Sequence, residues 1–183
     1  MEKMLLHSCC GPCSSAVLER LINDYDVTII YYNPNIYPTE EYEKRKAEQI
    51  RLIKLAYPNV KMIDCDYNQS DYFNYVCGLE NEKEGGARCT KCFELRLGYT
   101  AKKAIELGFD CFTTTLSVSP YKNSKLLNEI GKRLENEIGI KYIEADFKKK
   151  NGYLRSIELS KKYNLYRQHY CGCKFSMWFL KNE

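Results

Sequence analysis

The sequence predicts a single α/β domain built on a mostly parallel sheet, and three observations predict it. Short apolar runs rich in β-branched and aromatic residues alternate with longer stretches of helical period, as when crossover helices join parallel strands. The 183 residues suffice for one full hydrophobic core, and no repeat, low-complexity run or linker divides them, so residues 1–183 read as one domain. Cysteines gather where strands give way to helices, the edge at which open α/β sheets place ligands.

Met4 to His7 reads as a short buried strand, Ser8 to Pro12 as a turn, and Ser14 to Ile22 as a helix with Ala16, Val17, Leu18 and Leu21 inward. Val27 to Tyr32 is the second strand. Asn33 to Pro38 can continue neither element, because Pro34 and Pro38 lack an amide donor and restrict the residue before them. Thr39 is expected to cap a long helix with Glu40 and Glu41 in its first turn and Tyr42, Ile50, Ile53 and Tyr57 as its apolar face. Val60 to Ile63 is the third strand. The pattern then weakens, leaving a short helix over Asp71 to Val76 and a charged loop from Glu80 to Gly86. Thr90 to Leu107 carries a stripe of Phe93, Leu97, Ala101, Ala104 and Ile105 and is ended by Gly108. Cys111 to Thr115 is a fourth strand, Ser117 to Tyr121 a loop, Ser124 to Ile138 a helix, Tyr142 to Glu144 a fifth strand and Gly152 to Tyr163 a last helix. A tail ending in Met177-Trp178-Phe179-Leu180 follows.

Ten cysteines in a chain of this size need an explanation other than a disulfide scaffold, since the domain is large enough to hold itself together. The first residues, with only Met4, Leu5 and Leu6 as an apolar run, are too short for a signal peptide or a membrane span. The expectation is a cytoplasmic protein with reduced thiols and no membrane partner. A formal charge of +4 and sixteen tyrosines permit a nucleic-acid partner without requiring one.

Seven cysteines form three tight groups: Cys9-Cys10-Gly11-Pro12-Cys13, Cys89-Thr90-Lys91-Cys92 and Cys171-Gly172-Cys173. Cys65, Cys77 and Cys111 stand alone and read as packing residues. The first group lies between a strand and a helix, where N-terminal amides favour thiolate, the form that binds metal or attacks as a nucleophile. The three-residue spacing of the second brings Cys89 and Cys92 to one side of a first helical turn, flanked by Arg88 and Lys91. Four thiolates suit structural zinc or an iron–sulfur cluster equally well, and ligand chemistry alone does not separate them. Cys-Gly-Cys can close into a strained, oxidising disulfide, a two-electron store for which a purely structural zinc module has no use. Redox chemistry is therefore favoured over a zinc-stabilised RNA-binding module.

A thioredoxin-like dithiol oxidoreductase is the other rival, because Cys10-Gly11-Pro12-Cys13 matches its motif. Cys9 and the second Cys-x-x-Cys have no use in that reading. Neither a Walker loop nor the Ser-Gly-Gly-x-Asp-Ser loop of the ATP pyrophosphatases is present, so nucleotide binding through a phosphate loop has no support.

Beyond these groups the chain resembles the epoxyqueuosine reductases of the QueH type. The resemblance runs in order through Leu5 to Cys13, Tyr32-Asn33-Pro34-Asn35-Ile36, Glu41-Tyr42, Arg45, Arg88 to Cys92 and Leu95-Arg96. It continues through Thr113 to Leu116, Ser119-Pro120-Tyr121-Lys122-Asn123, Asp146 to Lys149, Gly152-Tyr153, Tyr166-Arg167-Gln168 and Tyr170-Cys171-Gly172-Cys173, covering nearly the whole chain. It implies a Rossmann-like, HUP-like fold and a cobalamin-independent reductase that converts epoxyqueuosine to queuosine in the tRNA anticodon loop. Also implied are a [4Fe-4S] cluster held by Cys9, Cys10, Cys89 and Cys92, with Cys171 and Cys173 as a redox-active pair, and an electron donor of unknown identity. An adjacent mononuclear iron, with Cys13 as a candidate ligand, completes what the family suggests.

The chemistry needs two electrons, two protons and an electrophile for the departing oxygen; His7 and His169 are the proton carriers nearest the cysteines. Asn33, Asn35, Ser119, Lys122, Tyr166 and Arg167 are the candidate substrate contacts. Lys148-Lys149-Lys150, Lys161-Lys162, Arg155 and Arg167 could meet phosphates, and Tyr153, Tyr166 or Tyr170 could stack on exposed bases; the lysines in the helix read better as a solvated surface, whereas Tyr166-Arg167-Gln168, beside the last cysteine pair, reads as functional.

Overall fold

A computed structural model describes residues 1–176 of the chain; the Met177-Trp178-Phe179-Leu180 tail lies outside them. Five parallel strands, β1 (Glu2–His7), β2 (Tyr25–Tyr31), β3 (Lys61–Asp64), β4 (Cys111–Thr114) and β5 (Lys141–Tyr142), form one sheet in the order β3-β2-β1-β4-β5. Among the described residues the helices that accompany them are α1 (Gly11–Leu21), α2 (Thr39–Ala56), α3 (Gln69–Tyr75), α4 (Ala87–Glu106), α5 (Ser124–Ile138) and α6 (Gly152–Lys162).

The central strand explains the layering. Met4 and Leu6 point to one face and Leu5 to the other, as the two-residue repeat of a strand requires, and all three are fully buried. The first face is covered by Val17, Leu18 and Leu21 of α1 and Leu52 and Ile53 of α2. The opposite face packs against Phe93, Leu97 and Ala101 of α4 and Leu127 and Ile130 of α5. Burial on both faces is why the strands read as unbroken apolar runs.

Several boundaries differ from expectation for local reasons. Helix α1 starts at Gly11, three residues early, because Pro12 in the first turn has no amide to leave unpaired. Thr39 is inside α2, not its cap; Pro38 holds the cap position and no side chain caps the end. The buried face of α2 includes Arg45 and Gln49, whereas Ile50 is 37% exposed, and Ile105 of α4 is likewise turned outward. That polar inner face serves the cysteine loop, as described below. Strand β4 stops at Thr114, whose hydroxyl accepts from the Leu116 amide and starts a short 3-10 turn, Thr115–Val118. Helix α5 spans Ser124–Ile138 as expected, capped by Asn123 and ended by left-handed Gly139. Of the lone cysteines, Cys111 is buried in the sheet but Cys77 is exposed, so packing does not account for it. Among the described residues no helix is long and apolar enough to cross a membrane.

Candidate active site

Chain order reverses between β1 and β4. The chain runs outward through β2 and β3, then returns to the other side of β1. In open parallel sheets this switch point opens a crevice beyond the strands' carboxyl ends. Cys9 and Cys10 leave β1 there, and the Thr115–Val118 turn leaves β4 beside them.

The first cysteine loop is fixed by a buried polar knot. The hydroxyls of Ser8 and Ser14 reach Gln49 Oε1 at 2.7 and 2.5 Å, and Asn33 Nδ2 donates to the Ser8 carbonyl at 2.8 Å. A Cβ at Gly11 would lie 3.3 Å from the Glu48 carbonyl oxygen, so the loop lies close against α2. Within this frame the sulfurs of Cys9, Cys10 and Cys13 all lie within 4.8 Å of one another, a set that could hold a metal. Hydrogen bonds from Cys10 and Cys13 hold the Cys9 thiol well below its ordinary range, and the same contacts raise Cys13.

The other two groups meet around a neighbouring space. Cys89 and Cys92 lie in the first two turns of α4, and Cys89 Sγ accepts from the Gly85 amide at 3.1 Å. Burial pushes Cys92 up to about 11. In the third group the Cys173 thiol hydrogen-bonds Cys171 and holds it low, with Lys122 and Ser176 helping; Cys173 is raised and lies 2.9 Å from the Tyr72 hydroxyl. No disulfide joins any of the ten cysteines, Cys171 and Cys173 included.

Two adjoining cavities connect the groups. The larger, about 530 Å³, is bordered by Cys9, Cys13 and Cys171 together with Tyr153, Arg167 and Tyr170. Cys89, Cys92, Cys171 and Cys173 border the smaller, about 80 Å³. Cys171, Arg96 and Lys122 border both. The two cations face the thiols: Arg96 is buried opposite Cys92 and Cys9, and Lys122 stands opposite Cys9, Cys171 and Cys13. Three residues bordering the cavities carry a buried polar atom without a partner among the described residues: the donor Arg88 Nε and the acceptors Asn35 Oδ1 and Gln168 Oε1. Thiols faced by two cations form an environment suited to an anionic metal–sulfur group.

The expected site residues divide. Lys122 borders both cavities, Ser119 and Arg167 the larger and Asn35 the smaller. Asn33 and Tyr166 border neither; Asn33 braces Ser8, and the Tyr166 hydroxyl donates to Glu41 at 3.0 Å. His7 is enclosed between Thr114 Oγ1 and the Tyr32 carbonyl, and burial depresses it to about 4, so it is neutral and structural. His169 borders the larger cavity. Of the basic residues considered for phosphate, Arg155 is engaged by Glu19 and Glu158 and Lys148 by Asp146. Arg96 had no role assigned from the sequence, and Gln168 entered only with Tyr166-Arg167-Gln168 as a group that could meet RNA; its Nε2 donates to Cys10 Sγ at 3.1 Å. The signal for Arg96 was its place four residues after Cys92, one helical turn on.

Fold and site together define an α/β protein with a thiol-lined, candidate metal-binding centre at the switch point of a parallel sheet. A similar fold occurs in the crystal structure of a predicted subunit of tRNA methyltransferase from Methanocaldococcus jannaschii. It aligns with a TM-score of 0.55 at 16% identity over 88% of this chain and 74% of that one. Residues 4–178 match the family model described as epoxyqueuosine reductase QueH. The protein of that description from Staphylococcus epidermidis is 44% identical over 95% of this chain and 76% of its own length. Those from Streptococcus pyogenes serotype M1 and Thermotoga maritima are 42% and 34% identical, over 94% and 97% of this chain and 69% and 91% of theirs. The chain belongs to the epoxyqueuosine reductase QueH family.

Proposed function

We propose that this protein is an iron–sulfur epoxyqueuosine reductase acting on tRNA. The reaction breaks both C–O bonds of the epoxide on the cyclopentane ring and forms the alkene, using two electrons and two protons and releasing water. One observation carries the reading. In a chain of this family the three cysteine groups border two adjoining cavities that share Cys171, Arg96 and Lys122.

Cys9, Cys10, Cys89 and Cys92 would hold a [4Fe-4S] cluster, and Cys13, close to Cys9 and Cys10, is the candidate ligand for an adjacent iron. Such a cluster supplies low-potential single electrons from a separate reduced donor. Cys171 and Cys173 are the proposed redox pair. They differ in the way a dithiol requires, one thiol held low for attack and the other raised as its proton-bearing partner. The larger cavity has the volume for a single base turned out of the anticodon loop. Tyr153 and Tyr170 offer stacking surfaces there, and Arg167 a cation.

A thioredoxin-like reaction through Cys10 and Cys13 is less well supported. Cys10 is 1% exposed, which leaves no approach for a protein disulfide, and Cys9 competes for both sulfurs.

Anaerobic purification tests the cofactor: the expected product is brown, with visible charge-transfer absorption, iron and acid-labile sulfide. A colourless zinc protein would sink that reading. Mass spectrometry of nucleosides from epoxyqueuosine-containing tRNA, after incubation with iron-loaded protein and dithionite, tests the activity. Absence of queuosine would count against the substrate.

A further inference from the structure

Lys122 is a half-buried cation without a counter-ion of its own. Among the described residues it makes no ion pair and no side-chain hydrogen bond, although it borders both cavities and faces thiols of the first and third groups. Glu84, the acid that borders both cavities, does not pair with it. The backbone of Lys122 is nonetheless well fixed. The Lys122 amide donates to the Ser119 carbonyl at 3.2 Å, the Tyr121 amide to Ser119 Oγ at 3.3 Å, and Asn123 caps α5 through the Leu126 amide at 3.2 Å. A rigid turn thus carries an unspent donor to the point where the thiols and the larger cavity meet.

An epoxide oxygen is uncharged in the ground state and becomes anionic as its first C–O bond opens. A fixed cation with free N–H donors stabilises the second state more than the first. Other candidates for this duty are weaker. His7 is neutral and committed to Thr114 and Tyr32, Arg96 donates to the Cys92 carbonyl, and His169 borders the larger cavity alone.

We infer that Lys122 is a catalytic residue whose ammonium donates a hydrogen bond to the epoxide oxygen and stabilises the charge that grows on it as the ring opens. The electrons come from a one-electron reductant, the two protons from solvent, and the oxygen leaves as water; Lys122 stays protonated and is not consumed. This inference rests on the reductase reading and assigns within it the electrophile for the oxygen.

The test compares three anticodon stem-loop RNAs, carrying epoxyqueuosine, queuosine or the unmodified base, with oxidised, iron-loaded protein and no reductant, so that binding is read without turnover. Wild type is expected to bind the epoxide RNA about tenfold more tightly than the alkene RNA, the usual effect of one hydrogen bond to a charged donor. Lys122→Met should bind both at the weaker level, with unchanged iron content, and Lys122→Arg should keep part of the preference. With dithionite, Lys122→Met should slow single-turnover conversion by about 100-fold or more. A Lys122→Met protein that keeps the preference and the rate overturns the inference. So does loss of iron from Lys122→Met that Lys122→Arg restores without restoring the preference, because the lysine would then serve only to balance the metal site's charge. Wild type that does not distinguish either modified RNA from the unmodified one removes the reductase reading itself, and this inference with it.

Discussion

Arg45 and Cys171, 126 positions apart in the chain, are joined by a hydrogen bond: Nη1 of the arginine donates to the Cys171 carbonyl at 3.0 Å. Nη2 donates to the Tyr170 carbonyl at 3.1 Å, and Nε binds Glu41 at 2.6 Å. One buried guanidinium therefore fastens the segment that carries the third cysteine group to the inner face of α2.

Replacing Arg45 by Met removes the charge, strands two carbonyls and leaves the Glu41 carboxylate with the Tyr166 hydroxyl alone in place of its cation. Breaking a buried pair from one side costs about 3 kcal/mol or more, and chemical denaturation under anaerobic conditions should register it. Alkylation of Cys171 and Cys173, followed by peptide mass spectrometry, should accelerate in parallel. Wild-type stability in this variant would mean that the Cys171 segment is held from elsewhere.

Gly172 meets the same guanidinium from the other side. Its φ of +107° lies where side chains are disfavoured, and a Cβ would come within 2.9 Å of Arg45 Nη1 and 3.0 Å of Ile36 Cγ1. Gly172→Ala should therefore cost about 2 kcal/mol in backbone strain and contact. The bridge between Ile36 and Cys173 and the hydrogen bond from the Tyr37 amide to the Gly172 carbonyl should open with it. Hydrogen exchange at Tyr37 reads this directly, and unchanged protection there would contradict the account.

This region also marks how far the sequence could be read. The sheet and the helices that cover it were legible because Met4, Leu5 and Leu6, buried on both faces, leave an unbroken apolar run, and because Phe93, Leu97, Ala101 and Ala104 of α4 recur at helical spacing and are buried. The inner face of α2 was not legible. Arg45 and Gln49 look like solvent-facing residues in a helical repeat, and only contacts with Ser8, Ser14 and Cys171, far away in sequence, explain their burial. The cysteine groups were visible as clusters, but which thiols share a cavity depended on how the chain returns past β1 to β4.

The site's cations should control how firmly a metal is held. Arg96→Leu removes a buried positive charge facing Cys9 and Cys92, so iron loss to a chelator should be several-fold faster than in wild type; losing a group that supports the ligands from behind typically costs about 10–100-fold in metal affinity. Arg96→Lys should recover much of the retention. Equal loss rates in all three proteins would show that the guanidinium does not act on the thiol site.

Serine replacements separate ligands from redox thiols. Cys92→Ser should lower iron and sulfide content, because a thiolate ligand is lost. Cys171→Ser should keep iron and the visible spectrum yet fail to produce queuosine. A Cys171→Ser protein that loses its iron would make Cys171 a ligand, and one that turns over normally would remove the dithiol from the mechanism. Cys77→Ser, at an exposed thiol outside both cavities, is the matched control.

Acid should release the segment leading to the third cysteine group before it unfolds the sheet. Glu48 on α2 receives Arg51 Nε and Nη2 at 2.8 and 2.9 Å and the Tyr166 amide at 2.8 Å. The Arg51 hydrogen bonds, aided by the Tyr166 amide, hold its carboxyl below the ordinary range. A carboxyl depressed in the folded state adds stability at pH values above its unfolded pKa and loses that contribution as pH falls through the folded value. The stability difference between wild type and Glu48→Gln should therefore be constant above about pH 5 and shrink below it, since an unfolded glutamate titrates near about 4.3. Denaturation of both proteins at a series of pH values measures that difference, and hydrogen exchange at Tyr166 reports the local release. A difference that stays the same down to about pH 3 would show that the charge on Glu48 does not hold the segment, and that the neutral amide of the variant retains whatever does.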